Sequence, residues 1–324
     1  MTATTRRIGF LGPFGTFTEQ ALRSQPDLAC DELVPMRTFV DILMATQEGE
    51  LDLGFVAIEN AIEGTVNVTM DTLVFDTNLL IQREVILDIE MMLMAAPGTT
   101  IDDVTTIASH PVANAQCRGF LREHFADLPV EVASSTAQAA EMAATTPGLA
   151  AVGPAIAGQQ YGLDTLAANI ADHPDNQTRF LVVGRDTIPA PTGHDRTTIM
   201  ITQREDKPGS LVTILQEFAA RGINMSLLIS RPAKTSLGNY HFIIDLHGHI
   251  NDDLVASCLQ AVRAKHADVK FLGSYPAATN GSSAVRQEAV EAFAEAAEWM
   301  ADLRGRVEPS ESDEARDAEP ELAR

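Results

Sequence analysis

The sequence predicts a two-lobed α/β domain followed by a smaller ferredoxin-like domain. Short apolar strands alternate with helices up to about residue 187, a pattern typical of α/β sheets. A Pro-Ala-Pro segment at residues 189–191 interrupts this pattern, and the order after it becomes β-α-β-β-α-β, as in ferredoxin-like domains. A chain of 324 residues is long enough for two domains at ~150 residues each.

The first domain contains a series of strands that each end in a polar or Gly-Pro turn. They are predicted at residues 8–11, 53–58, 104–108, 130–132 and 149–152. Helices are predicted to begin near Thr16, after Pro111 and at Ser135, where Ser135 to Gln138 forms a capping-box pattern. A mostly parallel sheet is therefore expected, with its ligand site at the carboxyl ends of the strands.

Thr178-Arg179-Phe180 differs from the other polar clusters because it opens a strand instead of closing one. It offers a hydroxyl donor, a guanidinium that can bind a carboxylate through two parallel bonds, and an aromatic ring. Such a triplet reaches the site only if the chain returns across it. Two α/β lobes with a ligand cleft between them satisfy this requirement most simply.

The second domain is predicted from strands at residues 198–202, 224–230, 239–246 and 269–275 and helices from 208 and over 252–265. A further helix is expected at 283–304, before a tail rich in acidic residues and read as disordered. The predicted division is a two-lobed first domain at 6–187, a linker at 188–196, a second domain at 197–276 and a helix with its tail at 277–324.

Charge and composition exclude several classes of protein. The net charge of −22 argues against nucleic-acid binding. Residues 1–206 contain no Lys and residues 1–187 only nine Arg, so an anion site there must use Arg, backbone amides and hydroxyls. No apolar run is long enough for a membrane helix and the start lacks a signal-peptide core, so a cytoplasmic protein is expected. Three widely spaced Cys predict buried thiols without a disulfide or metal site.

Several polar clusters have both a functional and a structural interpretation. The loop from Gly12 to Thr18 could bind an anion through backbone amides, or could be a turn with an N-cap at Thr16. Asn60 could orient a substrate or belong to a polar turn. Ser135 is mainly a helix cap, and His110 more often anchors a loop than acts as a base. In the second domain, Gly209–Val212 with 224–232 could hold a small ligand or form a dimer contact.

Together these segments resemble the bacterial prephenate dehydratase family. The matching stretches are Gly12 to Thr18, Ile58-Glu59-Asn60 with Gly64 and Val66, Ser109-His110-Pro111 with Ala115-Gln116-Cys117, Ser135-Thr136-Ala137, Tyr161-Gly162-Leu163 and Asn176 to Phe180. They cover residues 6–187 in family order, and residues 197–276 resemble the ACT regulatory domain.

The resemblance implies a catalytic domain like the two-lobed periplasmic binding proteins, with the active site in the cleft. It implies conversion of prephenate to phenylpyruvate, with loss of carbon dioxide and water, in phenylalanine biosynthesis, without a metal or cofactor. Thr178 is the implied catalytic donor to the departing hydroxyl, and Arg179 is expected to hold the side-chain carboxylate of the substrate. The remaining expected substrate-binding residues are Phe180, Asn60, Thr16 and Ser135.

The resemblance also implies that L-phenylalanine binds between paired ACT domains of a homodimer or homotetramer. The expected effector-binding residues are Gly209, Ser210, Leu211, Val212, Asn224, Ser230 and Arg231. Ile229 stands where the family usually has Glu, so we expect weaker phenylalanine binding.

Two further departures concern the catalytic domain, where Ala61 replaces a usual Ser and Val112 a usual Gln. They leave two alternatives open. One is an arogenate or other cyclohexadienyl dehydratase, and the other is a non-catalytic amino-acid sensor built from the same domains.

Overall fold

A computed structural model of the chain describes residues 5–203, 207–232, 240–278 and 284–306. The first lobe is built from the chain up to residue 88 and from one later strand. Its elements are β1 (Arg7–Leu11), α1 (Phe17–Arg23), α2 (Pro26–Ala29), β2 (Glu32–Met36), α3 (Phe39–Glu48), β3 (Leu53–Asn60), β4 (Gly64–Thr65), α4 (Asn67–Asp71) with a π-helical turn (Thr72–Asp76), and β5 (Leu80–Asp88).

The chain then forms a second lobe and returns to the first. The second lobe contains β6 (Met92–Ala95), a 3₁₀ turn (Ile101–Asp103), β7 (Thr106–Ser109), α5 (Pro111–Gln116), α6 (Arg118–Phe125), β8 (Val130–Val132), α7 (Thr136–Thr145), β9 (Leu149–Gly153), α8 (Ala155–Tyr161) and β10 (Asp164–Ala167). The returning strand is β11 (Gln177–Gly184).

A third sheet with its helices follows. It contains β12 (Asp195–Gln203), α9 (Ser210–Ala219), β13 (Met225–Pro232), β14 (Tyr240–His247), α10 (Asp253–Lys265) and β15 (Ala267–Pro276), and α11 (Ala284–Gly305) comes after it. This is the predicted β-α-β-β-α-β order. The predicted connection through 234–238, the start of a strand at Asn239 and the tail from 307 onward lie outside the described residues.

The sheets of both lobes are mixed, so the expectation of a mostly parallel sheet is wrong. The first sheet has the order β2-β1-β3-β11-β5, and β11 is antiparallel to both β3 and β5. The second has the order β10-β6-β9-β7-β8, with β6 antiparallel to β9 and β10. The reason is that the chain crosses between the lobes twice, and a returning strand enters its sheet in the opposite direction.

The third sheet has the order β13-β14-β12-β15 and uses both of its faces. On one face Ile244 and Leu246 pack with α9 and α10. On the other, Ile243, Leu272 and Tyr275 join a buried apolar cluster of the first lobe. This sheet belongs to the predicted second domain, which is called the third domain from here on because it follows the two lobes. It is packed directly against the sheet that contains β11.

Two of the three cysteines are buried as predicted, but Cys30 is exposed because it follows the short surface helix α2. Burial, together with the charge of Asp172, raises the pKa of Cys117 to about 12. Burial also raises the pKa of Cys258 to about 11. Both thiols are thus protonated and shielded near neutral pH.

We therefore expect a thiol reagent at pH 7 to label one cysteine rapidly in the folded protein and three after denaturation. Mass spectrometry of the labelled peptides should place the rapid label on Cys30. Rapid labelling of Cys117 would contradict the packing of α5 and α6 against the second sheet.

The described residues contain neither a candidate membrane helix nor a candidate metal site. No helix in these ranges is long and apolar enough to cross a membrane. Within the same ranges, no three His, Cys, Asp or Glu side chains are grouped so that they could hold a metal ion.

Candidate active site

Thr178 and Asn60 meet where β11 begins and β3 ends. The two residues are paired in the antiparallel register of these strands. The Asn60 amide Nδ2 donates to the Thr178 hydroxyl oxygen at 2.8 Å. Because the oxygen accepts this bond, the hydroxyl proton is free to be donated to another group.

The Asn60 amide is itself held in place by the loop that follows β3. Its Oδ1 accepts from the backbone N–H groups of Ile62 and Glu63, each at 3.0 Å. These two bonds fix which end of the amide faces Thr178. Asn60 and Thr178 were predicted to belong to one site, and the structure brings them together across more than a hundred residues of chain.

A polar bridge next to Thr178 links the two lobes. Asn176, which is 2% exposed, donates through Nδ2 to Gln116 Oε1 at 3.2 Å. Gln116 Nε2 in turn lies 3.4 Å from Glu63 Oε1. Gln116 belongs to the second lobe and Glu63 to the first. None of these three residues was among the predicted site residues, although buried polar side chains beside a candidate site are a usable signal.

The loop at Gly12 to Thr18 reaches the second lobe at Gly15. Gly15 has φ +82°, and a side chain there would begin 3.2 Å from Ala137 Cβ and 3.1 Å from Gln160 Oε1. The lobes thus touch at this loop as well as at the Gln116 bridge.

Thr16 and Ser135 both occupy N-cap positions. The Thr16 hydroxyl accepts from Glu19 N at 3.5 Å, and the Ser135 hydroxyl accepts from Gln138 N at 3.0 Å. Ser135 lies two residues before Ala137, so it is near the contact between the lobes. Both side chains are half-buried.

Arg179 does not point toward the Thr178 hydroxyl. Adjacent side chains of a strand lie on opposite faces of the sheet, and the Arg179 guanidinium is 10% exposed on the face that packs against the third domain. Its Nε lies 2.7 Å from Glu84 Oε2 and its Nη2 lies 2.8 Å from Asp245 Oδ2. This is a correction to the expected grip on a substrate carboxylate, because the cation is already paired with two carboxylates of the chain itself.

Phe180 is a core residue. Its ring is 1% exposed and stacks on Phe55 with a centroid separation of 5.1 Å. It therefore supports the strand that carries Thr178 and has no exposed face for a substrate. This corrects the expectation that Phe180 belongs to the substrate-binding set.

The two positions of the first domain that depart from the family pattern, Ala61 and Val112, are exposed. Ala61 is exposed in the loop after Asn60, and its N–H donates to Gln177 O at 2.8 Å. Val112 is 41% exposed in the first turn of α5, next to the half-buried His110. No hydrogen bond involving the His110 side chain is made to the described residues.

The predicted effector residues separate into two ends of the third sheet. Thr202 and Arg231 both pair with His241, so the end of β12 lies at the same end of the sheet as the last residues of β13, and Gly209 to Val212 follow β12 along the chain. Asn224 lies at the other end, where its carbonyl accepts from His247 N at 2.9 Å.

Two residues of β13 face the first lobe and not the Gly209 loop. Ile229 packs against the cluster shared with the first lobe. Arg231 contacts α4, with Nη2 2.7 Å from an Asp71 carboxylate oxygen and Nη1 2.8 Å from Asn67 Oδ1. This is a correction to the assignment of Arg231 to the effector site. A Glu at position 229 would also face the first lobe, and the weaker binding of phenylalanine expected from Ile229 stays a prediction.

Asn60→Asp tests the arrangement around Thr178. The substitution keeps an oxygen for the N–H groups of Ile62 and Glu63 but removes the Nδ2 donor to Thr178. We expect turnover to fall by about 10- to 100-fold because the hydroxyl loses its orienting bond. Steady-state kinetics with circular dichroism checks this, and unchanged turnover would show that the Asn60 donor is dispensable.

Comparison with known proteins identifies the family. A family model described as prephenate dehydratase matches residues 8–188, and one described as the ACT domain matches residues 197–264. A prephenate dehydratase of Mycolicibacterium vanbaalenii is 40% identical over 311 residues, covering 92% of this chain and 98% of that protein.

Two solved structures are similar over most of their length. Prephenate dehydratase from Arthrobacter aurescens, in complex with L-Phe, has a TM-score of 0.82 and 38% identity and covers 92% of this chain and 99% of that one. A structure described as a novel type of quorum quenching acylase has a TM-score of 0.76 and 31% identity, covering 84% and 98%. The chain belongs to the prephenate dehydratase family, with an ACT domain after its catalytic domain.

Proposed function

We propose that this protein converts prephenate to phenylpyruvate, carbon dioxide and water, and that Thr178 is its catalytic residue. The observation that carries the residue assignment is the bond from Asn60 Nδ2 to the Thr178 oxygen at 2.8 Å. This bond orients the Thr178 hydroxyl and leaves its proton available for donation to another group. An oriented donor is what the departing hydroxyl of the substrate requires.

The reaction needs little more than positioning and one donor. The bond from the ring to the carboxylate breaks, its electron pair enters the ring, and the C–O bond opposite breaks as the ring becomes aromatic. The hydroxide leaves as water when it receives a proton. A threonine hydroxyl is a weak acid, so Thr178 acts as a hydrogen-bond donor that transfers the proton late in C–O cleavage.

Thr16 and Ser135 remain the proposed polar contacts to the substrate. Each sits at a helix start, where backbone N–H groups also favour anions. Gly15 and Ala137 bring these two segments together from opposite lobes. The substrate carboxylates are then bound by hydroxyls and backbone amides, since Arg179 is paired elsewhere.

The ACT domain is proposed to bind L-phenylalanine, and the similar structure from Arthrobacter aurescens is a complex with L-Phe. Gly209 to Val212 and Ser230 form one part of the proposed site, and Asn224 lies at the opposite end of β13. A second copy paired antiparallel along the edge strand β13 would bring Asn224 next to the first group. The proposed assembly is therefore a homodimer, or a tetramer of such dimers, with the effector between ACT domains. The proposed location is the cytoplasm.

The test is product formation from two substrates, each with and without added phenylalanine. Phenylpyruvate formed from prephenate supports the proposal. Phenylalanine formed only from arogenate would replace it with arogenate dehydratase, and binding without turnover of either substrate would indicate an amino-acid sensor.

Acylase activity is not proposed, despite the similar structure described as an acylase. Such chemistry needs a nucleophile activated by an adjacent base. Among the described residues, the Thr178 hydroxyl has an amide as its side-chain partner, and an amide cannot take its proton.

A further inference from the structure

A buried ion network joins the ACT domain to the strand that carries Thr178. Glu84 Oε2 on β5 accepts from Arg179 Nε and from Arg196 Nη1, each at 2.7 Å. Asp245 on β14 lies 2.8 Å from Arg179 Nη2. The side chains of Glu84 and Asp245 are 0% and 2% exposed. The two positive charges of Arg179 and Arg196 therefore balance the two negative charges of the carboxylates inside the protein.

Hydroxyl groups of the ACT domain complete this network. Tyr275 Oη accepts from Arg179 Nη2 at 3.0 Å. Thr198 donates to Asp245 Oδ1 at 2.7 Å and lies 2.6 Å from Tyr275 Oη. Tyr275 is fully buried, and burial raises the pKa of its hydroxyl well above its usual range. Arg179 is the member of this set that lies on β11, one residue from Thr178.

We propose that Arg179 is a positioning residue through which the ACT domain holds the Thr178 hydroxyl in place. This rests on the proposed function of the Thr178 site. The guanidinium is fixed by β5 on one side and by β14 and β15 on the other. Its own backbone is the next peptide unit after Thr178, and Nη1 also lies 3.9 Å from Glu59 Oε2, beside Asn60.

The cost of leaving a buried charge unpaired makes the coupling between the ACT domain and Thr178 strong. Removing one partner of a buried ion pair leaves an uncompensated charge, which the protein relieves by moving the remaining group or admitting water. Here the remaining group would be Arg179, and its movement displaces the start of β11. A shift of the ACT domain relative to β5 therefore reaches the Thr178–Asn60 pair directly.

The informative variant is Asp245→Asn, because Asp245 lies on the ACT domain and contacts neither Thr178 nor Asn60. Arg179→Gln is the matching change on β11. Lys270→Gln is the control. Lys270 also crosses the interface between the ACT domain and the first lobe, but its Nζ donates to the Val74 and Thr77 carbonyls and not to the ion network. The readouts are kcat and KM for prephenate and hydrogen exchange of the amides in residues 177–184.

We expect Asp245→Asn and Arg179→Gln to lower kcat about tenfold, with KM within a factor of two, and to speed exchange in residues 177–184. Lys270→Gln should leave kcat and this exchange near wild type. A raised KM with normal kcat in Arg179→Gln would overturn the proposal in favour of direct substrate binding. Unchanged kcat and exchange in both variants would show a purely structural network. If the wild type does not turn over prephenate, the proposed function fails, while the exchange data still decide the coupling.

Discussion

Thr178→Val is expected to reduce kcat by about 1,000-fold while the protein stays folded. The substitution replaces the hydroxyl by a methyl group of similar size, and both side chains are β-branched and suited to a strand. General acid groups contribute about 10²- to 10⁴-fold to a reaction, and the departing hydroxyl would then have only water as a donor. The interaction belongs to the transition state, so kcat and kcat/KM should fall together and KM should change little.

Thr178→Ser is the matched control. It keeps the oxygen that accepts from Asn60 and the proton that is free to be donated, but it loses the methyl group that restricts rotation. Turnover should therefore recover to within about tenfold of wild type. If Thr178→Val retained most of its activity, the departing hydroxyl would be protonated by another group and the assignment of Thr178 would fail.

Thr178 and Asn60 were expected at one site from the family resemblance, but their direct pairing was not predicted, because the sheet was expected to be mostly parallel. Polar residues at the end of one strand and the start of an antiparallel neighbour meet at the same edge of a sheet. The helix N-caps at Thr16 and Ser135 could be predicted from the sequence, since an N-cap depends on only a few adjacent residues.

The role of Arg179 could not be predicted in the same way. The alternation of a strand shows that Thr178 and Arg179 face opposite sides, but not which side is the cleft. That depends on where the third domain packs, and its contacts with β5 and α4 join residues far apart in the sequence. The mixed direction of the sheets was missed for a related reason. Hydrophobic periodicity identifies strands, but it gives neither their order in a sheet nor their relative direction.

The close packing of β15 against β5 leads to the second large prediction. Gly273 has φ +142°, and a side chain at this position would begin 2.4 Å from Ile81 O and 2.9 Å from Ile81 N. These are backbone atoms of β5 at a residue buried in the shared apolar cluster, so they cannot turn aside as a flexible side chain would. Gly273→Ala should therefore lower the free energy of unfolding by about 3 kcal/mol, measured by urea denaturation.

Gly193→Ala separates this clash from backbone strain. Gly193 also has a positive φ, of +87°, but apart from its chain neighbours no heavy atom of the described residues lies within 4 Å of the position a side chain would occupy. That variant should lose only about 1 kcal/mol.

Because Tyr275 lies two residues from Gly273, displacement of β15 should also disturb the partners of Arg179. Gly273→Ala is thus expected to lower kcat as well as stability, and Gly193→Ala to lower stability alone. Equal losses of stability in the two variants would mean that β15 can move away from Ile81 without cost, and the ACT domain would then be too loosely held to position Thr178.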